Sequence, residues 1–458
     1  MQAKEYHVRP LAKTPEGLAD AGGGPGLGLA VPRLTLVPRP EPGYDSGHHA
    51  GDQGPPSKPR GAAVLRITEE TAAQRWERYR GLLADEPLPA ALVDLEALDE
   101  NLERLLAPVR ARGKTLRLAS KSIRCPALLR YLVERGRGAV HGLMTYAAAE
   151  TAFLADLGFS DLLLAYPTVR SADLALLAEV NSRGATAAVV VDCTAQLEAL
   201  EKAAAGARIP VVIEVDLSYR PIERVHLGVR RSPLRSVAEV VALAERIGDF
   251  PHLAFHGLMG YEAQIAGLGD EALPKRLVKQ LSRPYVEKTR QALARALRPK
   301  LFNGGGTRSL PWCSGESALT EVTAGSGFLA SHLFDEIRGL ELVPAAYFAL
   351  QVVRVPAPGI VTCHGGGYVA SGAAGLDRLP RPALPAGLEL LPLEGAGEVQ
   401  TPLRLARGVK LSLGDPVFFR HAKAGELAEH FPEYLLVRGD RIVERAPTYR
   451  GLGRCFLG

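Results

Sequence analysis

The stretch LRLASKSIRC, residues 116–125, alternates apolar and polar side chains and then places Lys121 directly after the alternating run. Alternation with a period of two predicts a β-strand. The predicted strand ends at Ser120, so Lys121 lies at its C-terminal end, shortly before Pro126. A lone lysine at the end of a strand is usually a solvated side chain. Whether Lys121 has a chemical role therefore depends on the strands that follow.

Seven further short apolar runs follow the first one, and helical stretches separate them. The eight predicted strands are 116–120, 139–145, 162–167, 187–193, 211–217, 253–261, 300–306 and 319–327. Eight strands that alternate with helices over roughly 210 residues predict a (β/α)8 barrel of the TIM type. A doubly wound open sheet is the alternative, because periodicity does not distinguish a closed sheet from an open one. No GxGxxG motif follows the first strand, which argues against a dinucleotide-binding fold.

The composition changes on either side of this series. Residues 1–62 are rich in glycine and proline, which predicts a disordered tail. Residues 63–345 are predicted to form the barrel domain, beginning with an amphipathic helix that Thr68 would cap. After this point short strands joined by glycine and proline turns predict a mainly β domain over residues 346–458.

Composition and charge limit the classes of partner. The 458 residues carry a net charge of only +5, from 55 basic and 50 acidic side chains, so charge favours neither a nucleic-acid nor a membrane partner. We find no apolar run of about 18 residues and no secretory signal. The five cysteines are scattered without metal-ligand spacing, which indicates reduced thiols. We therefore expect a cytoplasmic protein that acts on a small molecule.

Reactive residue types gather at one end of the predicted barrel. In this fold the chemistry lies at the C-terminal ends of the strands, which are the predicted positions of Lys121, Tyr261 and the glycine run 304–306. A lysine amine can attack a carbonyl group, and consecutive glycine amides can bind a phosphate. Together they predict pyridoxal 5'-phosphate (PLP), bound to the lysine as a Schiff base. A plain turn at the glycine run and a rim position for Tyr261 are the alternatives.

Six motifs resemble the fold-type III PLP enzymes, the alanine racemase N-terminal domain family, and most of all their D-threonine aldolase and D-serine dehydratase-like branch, which includes the amino acid deaminase/aldolases. The motifs are PAALVDLEAL (89–98), RLASKSIRCP (117–126), HGLMGYEAQI (256–265), NGGGTRS (303–309), EVTAGSG (321–327) and GDPVFFRHAKAGE (414–426). The resemblance covers residues 85–458. It implies an alanine racemase-like barrel, a C-terminal β domain that a strand near 90–94 joins, and a homodimer.

The resemblance also implies roles for individual residues. Lys121 matches the lysine that forms the internal aldimine with PLP, and Tyr261 matches a tyrosine near the cofactor ring. The phosphate loop and the turn on its far side correspond to Gly304, Gly305, Gly306, Thr307, Gly325 and Ser326. The family's arginine toward the phenolic oxygen of the cofactor has no direct counterpart, because Pro221 stands at its position. The neighbouring Arg220 is our candidate, together with His226 further along the same loop.

The last motif departs from the metal-using members of the branch. Those members carry two metal ligands after the GDxV segment, whereas this chain keeps His421 and has Lys423 at the second position. A protonated lysine cannot bind Zn²⁺, and Glu426 is a weak substitute. We therefore predict no metal site beyond a weak one at His421, and a divalent metal stays an open question. Our hypothesis is that the Lys423 ammonium replaces the charge of the metal near the β-oxygen of the substrate.

These residues predict a PLP-dependent lyase that cleaves or deaminates a β-hydroxy amino acid such as threonine or serine, of D configuration, by retro-aldol reaction or β-elimination. Lys121, His421 and Lys423 are its predicted catalytic residues, although His421 as a structural histidine is an equal alternative. One alternative function is an amino acid racemase, which needs a second base such as Tyr449. The other is a protein that binds PLP without catalysing a reaction.

Overall fold

The computed structural model describes residues 70–335 and 337–457, so the predicted tail (1–62) and Thr68 lie outside the described residues. The first helix, α1, spans Ala72–Leu82, and Thr71 caps it. The Thr71 hydroxyl accepts a hydrogen bond from the Gln74 amide, and the Gln74 side chain accepts one from the Thr71 amide, which is a capping box. The cap of the described helix is thus Thr71 and not Thr68. A short strand, β1 (Ala90–Asp94), follows.

A closed barrel of eight parallel strands occupies the next part of the described chain. The strands are β2 (Thr115–Ala119), β3 (Val140–Thr145), β4 (Asp161–Leu164), β5 (Thr186–Val191), β6 (Ile209–Glu214), β7 (Leu253–Gly260), β8 (Leu301–Gly304) and β9 (Glu321–Ala324). Pairing of β2 with β9 closes the barrel. The prediction of a (β/α)8 barrel is therefore confirmed, and the open-sheet alternative is wrong.

Helices follow the barrel strands and cover the outside of the barrel. The helices are α2 (Leu95–Arg110), α3 (Pro126–Arg135), α4 (Ala148–Asp156), α5 (Ser171–Ser182), α6 (Thr194–Ala203), α7 (Val237–Ile247), α8 (Ala263–Ala266), α9 (Leu273–Leu297), α10 (Leu310–Gly315) and α11 (Ser326–Leu329), with α12 (Ala424–Leu427) in the C-terminal part. Helix α2 shows why they pack: its buried residues include Leu98, Leu102, Leu105 and Val109. This spacing of three and four places them on one face of the helix.

A mainly β domain packs beside the barrel. Its strands after the barrel are β10 (Ala346–Ala357), β11 (Ile360–His364), β12 (Arg381–Leu384), β13 (Leu388–Leu390), β14 (Gln400–Leu405), β15 (Pro416–Arg420), β16 (Glu433–Arg438) and β17 (Arg441–Pro447). β1 lies in the same sheet, antiparallel to β10 and parallel to β16. The domain therefore takes strands from both sides of the barrel sequence.

The barrel interior is filled by side chains, whereas a cavity remains at the C-terminal ends of the strands. Buried side chains such as Leu163, Val190 and Val212 form a cluster inside the barrel, as expected for a barrel that is a core and not a pore. Space for a ligand is left at the mouth, where the strands end. No described helix has the length and the apolar character needed to cross a membrane.

Candidate active site

A cavity of about 530 Å³ lies at the C-terminal ends of the barrel strands, and both domains line it. The barrel contributes, among others, Lys121, Tyr166, Arg231, Tyr261, Gly304, Gly305, Gly306, Thr307, Arg308, Gly325 and Ser326. The β domain contributes Arg378, Ala422, Lys423, Gly425 and Glu426. A volume of this size suits a small ligand. The structure therefore brings most of the residues that we predicted from the sequence to a single site.

Lys121 projects into this cavity from a single turn of 3₁₀ helix, Ser120–Ser122, directly after β2. Its Nζ donates a hydrogen bond to the Tyr166 hydroxyl at 2.8 Å, and it lies 5.4 Å from the centre of the Tyr166 ring. Both neighbours of the lysine are buried, and the Ser120 hydroxyl donates to the Met144 carbonyl at 2.9 Å. The lysine side chain is thus exposed to the cavity while its backbone is anchored in the barrel. Sequence analysis missed Tyr166, although it lies at the end of a predicted strand.

The β domain holds the turn that carries Lys121. Arg124 adopts a left-handed backbone conformation with φ of +51°, and its Nε donates to the Lys121 carbonyl at 3.0 Å. Its guanidinium also forms an ion pair with Glu429, and its carbonyl accepts a hydrogen bond from the Tyr449 amide at 2.9 Å. The position of the lysine therefore depends on contacts that the barrel alone does not provide.

The glycine run passes the cavity opposite this turn, but two of its amides already have partners in the protein. The Gly305 amide donates to Glu262 Oε2 at 3.2 Å, and the Gly306 amide donates to the Ser309 hydroxyl at 3.0 Å. In this structure both amides are therefore directed at acceptors within the protein, and phosphate binding by the glycine run stays a prediction. Glycine is needed here for close approach, since a Cβ on Gly306 would lie 3.2 Å from the Ala266 Cβ and Gly305 has a φ of +93°.

Three buried charges, which we call the Arg290 cluster, support the glycine run from behind. Arg290 forms ion pairs with Glu262 and Glu316 and donates to the Gly260 carbonyl at 2.8 Å. Burial by itself raises the pKa of Glu262, but the charge of Arg290 and the hydrogen bond from Ser309 outweigh it, so that this pKa lies below its usual value. The carboxylate that binds the Gly305 amide therefore stays ionised. Buried charges of this kind leave no clear pattern in the sequence.

Arg231 takes the place at the cavity that we expected for Arg220. The Arg220 guanidinium contacts Asp216 at 3.3 Å, the His226 Nε2 lies 3.3 Å from the Val229 carbonyl, and neither residue lines the cavity. Tyr219 and Leu227 pair across this loop and form a small hairpin, so the residues between them are carried away from the barrel strands.

Arg231, beyond this hairpin, lines the cavity with its guanidinium 5.2 Å from the centre of the Tyr261 ring. Burial raises the pKa of Tyr261 to about 12, with a smaller contribution from the nearby Glu262 charge. The phenol of Tyr261 is therefore protonated at neutral pH.

Three polar residues of the β domain, Lys423, Glu426 and Ser371, form a connected group, which we call the Lys423 cluster, and the first two line the cavity. The Lys423 Nζ donates to the Ser371 hydroxyl at 2.9 Å and lies 3.6 Å from Glu426 Oε1. Glu426 accepts hydrogen bonds from the Ser371 amide at 2.7 Å and from its hydroxyl at 2.5 Å. Burial raises the pKa of Glu426, but these bonds and the Lys423 charge lower it more, so the carboxylate is ionised.

His421 lies behind this cluster and not on the cavity wall. Its side chain is buried, and its Nδ1 lies 2.6 Å from the Lys423 carbonyl and 3.1 Å from the Lys423 amide. Burial lowers the pKa of His421, so the ring is neutral at pH 7. Within residues 70–335 and 337–457, no group of three His, Cys, Asp or Glu side chains is placed to hold a metal ion. The contacts of His421 are those of a residue that orients Lys423.

Tyr449, the predicted second base of a racemase, does not line the cavity. It is buried, and its hydroxyl donates to Glu150 at 2.9 Å. Burial raises the pKa of Glu150 to about 7 in spite of the hydrogen bonds that it accepts from the Tyr146 amide and from Tyr449. This pair therefore connects the C-terminal segment to the barrel and leaves the cavity without a tyrosine from this segment.

Comparisons with known proteins agree with this architecture. A curated relative, D-threonine aldolase from Arthrobacter sp, is 27% identical over 247 residues, which are 53% of this chain and 61% of the relative. The match thus spans less than two thirds of the length of that protein.

Two solved structures share the fold along most of their lengths. D-threonine aldolase from Filomicrobium marinum superposes with a TM-score of 0.70 at 22% identity, over 81% of this chain and 96% of that one. D-threo-3-hydroxyaspartate dehydratase from Delftia sp. HT23 gives 0.63 at 20% identity, over 80% and 98%. The family model for the alanine racemase N-terminal domain matches residues 93–330. This chain therefore belongs to the family of the alanine racemase N-terminal domain.

Proposed function

We propose that this protein is a PLP-dependent lyase that cleaves or dehydrates a β-hydroxy amino acid of D configuration, such as D-threonine or D-serine. The observation that carries the proposal is that Lys121, the glycine run 304–306, Lys423 and Glu426 line the same cavity. The names of the relatives support the choice, because one describes cleavage and the other dehydration of a D-amino acid with a hydroxyl group on Cβ.

The residues at the cavity fit a phosphorylated aldehyde cofactor. Lys121 supplies a primary amine that can form a covalent bond to an aldehyde carbon. The glycine loop leaves room that a Cβ would fill on the side of Tyr261. Among the described residues, six cationic side chains and one carboxylate, that of Glu426, line the cavity, which is the charge balance that an anionic ligand needs. When bound, PLP supplies an electron sink for the negative charge that develops at Cα of the substrate.

Lys121 and Tyr166 act on the proton at Cα. Once its amine is released from the cofactor, Lys121 can remove or return a proton at Cα as a general base or acid. The hydrogen bond of 2.8 Å to the Tyr166 hydroxyl orients Nζ within the cavity. Arg231 and Tyr261 form another part of the wall.

The Lys423 cluster acts on the β-oxygen. As an ammonium, Lys423 can donate a proton to the β-oxygen while the Cβ–O bond breaks, which is dehydration. As a neutral amine it can accept the β-hydroxyl proton while the Cα–Cβ bond breaks, which is retro-aldol cleavage. Ser371 and Glu426 orient the amine, and His421 fixes the backbone of the turn. In this proposal the positive charge of Lys423 does, in dehydration, the work that a metal ion would otherwise do at that oxygen.

Neither alternative has a specific observation in its favour. A racemase needs two groups that move a proton on opposite faces of Cα, and Tyr449 is held by Glu150 away from the cavity. A protein that only binds PLP has no need for the Lys423 cluster, which comes from the β domain. We also propose a homodimer, and sedimentation equilibrium of the purified protein would measure it.

Product analysis tests the proposed reaction. The protein loaded with PLP should convert D-threonine, and not L-threonine, to glycine and acetaldehyde or to 2-oxobutanoate and ammonia. The Lys423→Met variant should retain the cofactor while its kcat falls at least about 100-fold, because one proton-transfer group contributes roughly that much. Failure to convert D-threonine, D-serine or D-3-hydroxyaspartate would contradict the proposal. Inversion at Cα without cleavage would favour the racemase.

A further inference from the structure

We propose that Arg378 binds the α-carboxylate of the substrate and so selects amino acids over simple amines. The inference deepens the proposed function and rests on it. It begins with the excess of positive charge around the cavity, whose cationic side chains are Lys121, Arg124, Arg231, Arg308, Arg378 and Lys423. An amino acid brings its own carboxylate into this wall, and that group needs a partner in a partly buried site.

Most of these cations already have strong contacts. Arg124 forms an ion pair with Glu429, and Lys423 is held by Ser371 and Glu426. Arg308 donates to the carbonyls of Gly267 and Leu333. Arg231 lies over the Tyr261 ring, at the place where we expected the arginine that faces the phenolic oxygen of the cofactor, so we assign it to the cofactor. Lys121 is assigned to the cofactor. These cations are therefore occupied before a substrate arrives.

Arg378 has only one long ion pair among the described residues and is not assigned to the cofactor. Its ion pair with the adjacent Asp377 spans 3.6 Å, which is longer than a hydrogen bond, and the Asp377 side chain is 53% exposed. The Arg378 Nε is buried and has no hydrogen-bond partner among the described residues. Arg378 lines the cavity, and the planar fork of N–H donors of an arginine is suited to bind a carboxylate with two parallel hydrogen bonds.

The loop between β11 and β12 holds the guanidinium in place. The Arg378 carbonyl accepts a hydrogen bond from the Ala370 amide at 2.9 Å. Gly372 has a φ of +115°, and a Cβ there would lie 3.3 Å from the Arg378 Nε, so the guanidinium packs directly on the glycine backbone. Ser371 lies between Ala370 and Gly372, so the same loop positions both Arg378 and the hydroxyl that contacts Lys423. One segment would thus orient the substrate at both its carboxylate and its β-oxygen.

A binding comparison tests the role of Arg378 without turnover. D-Alanine and ethylamine share an amine and differ in the carboxylate, and neither has a β-hydroxyl group. We would titrate each into the PLP-loaded protein and follow the visible absorption of the cofactor. The wild type should bind D-alanine at least about tenfold more tightly than ethylamine, as expected for hydrogen bonds between charged groups. Arg378→Met should reduce this ratio to less than about threefold and leave the affinity for ethylamine unchanged.

Two further variants complete the test. Arg378→Lys keeps the charge but cannot form the bidentate pair of hydrogen bonds. Its ratio of affinities for D-alanine and ethylamine should therefore lie between those of the wild type and Arg378→Met. Arg381→Met is the matched control, since Arg381 is exposed on β12 and does not line the cavity, and it should behave as the wild type. An unchanged ratio in Arg378→Met, or an equal loss of affinity for both ligands, would overturn the proposal. A wild type with the expected ratio but no lyase activity would refute the reaction and leave the carboxylate site standing.

Discussion

Replacement of Arg290 by methionine is expected to destabilise the protein strongly, because it leaves the buried Glu262 carboxylate without its cation, together with Glu316, whose pKa burial raises to about 7. Arg290 is fully buried between Glu262 and Glu316, and it also donates to the Gly260 carbonyl. Removal of one partner from a buried ion pair costs about 3–5 kcal/mol. We therefore expect Arg290→Met to lower the free energy of unfolding by about 3–5 kcal/mol.

Urea denaturation followed by circular dichroism measures this loss. For a slope of about 3 kcal/mol per molar urea or more, the midpoint should fall by on the order of 1 M. Arg183→Met is the matched control, because Arg183 pairs with Asp156 at 3.0 Å while its side chain is 49% exposed. An exposed ion pair contributes about 0–1 kcal/mol, so this variant should unfold near the wild-type midpoint.

A double variant checks the physical reason. In a Glu262→Gln background the Arg290→Met substitution strands one carboxylate fewer, so it should cost at least about 1 kcal/mol less than in the wild type. The single variant should also retain less PLP, since Glu262 binds the amide of Gly305. Equal midpoints for Arg290→Met and Arg183→Met would refute the view that buried charges hold the glycine run in place.

Three further substitutions test other parts of the site. Tyr166→Phe removes the hydroxyl that contacts Lys121, and we expect kcat to fall roughly two- to tenfold while cofactor content stays constant. Gly305→Ala forces an alanine into a backbone with a φ of +93°, which costs about 1–2 kcal/mol and should weaken PLP binding. Burial raises the pKa of Glu214 to about 7, so the folded protein holds a proton there that the unfolded chain releases above about pH 4.5. The stability that this group contributes therefore declines as the pH rises from about 4.5 to 7. The free energy of unfolding of Glu214→Gln, taken relative to that of the wild type, should rise by up to about 3 kcal/mol between pH 4 and pH 8.

Each of these predictions has a result that contradicts it. A loss of cofactor from Tyr166→Phe would show that the hydroxyl holds PLP and not only the amine. Gly315→Ala is the control for Gly305→Ala, because a Cβ at Gly315 has no atom within 4 Å, and equal PLP affinity in both variants would rule out a role for the backbone strain. If the difference in the free energy of unfolding between Glu214→Gln and the wild type does not change with pH, burial does not raise the pKa of Glu214.

The barrel could be predicted because its strands are covered on both faces. Strands of this kind appear in a sequence as short apolar runs, and each of the eight predicted runs overlaps a strand of the closed barrel. The strand ends then gave Lys121 and Tyr261, since in a barrel these ends lie at one mouth. Closure itself could not be read from periodicity, because it depends on the pairing of the first and last strands.

The parts that sequence analysis missed lie on irregular segments. The hairpin between Tyr219 and Leu227 shifts the arginine at the cavity from Arg220 to Arg231, and no periodicity marks such an insertion. The long loop that carries Arg378 has no repeating pattern either. His421 was predicted from the last motif of the resemblance, but in the structure it is buried behind Lys423. Motifs thus identified the neighbourhood of the site, whereas the side chains that face the cavity depend on loop geometry.

The most direct test of the account is the covalent state of Lys121 in the purified protein incubated with PLP. The visible absorption spectrum should show a bound cofactor, borohydride should bleach the band, and peptide mass mapping should find a phosphopyridoxyl group on Lys121. The Lys121→Ala variant should give no labelled peptide. A protein that stays colourless with excess PLP, or that carries the label on another lysine, would contradict the central claim that Lys121 is the cofactor-binding residue of a PLP-dependent lyase.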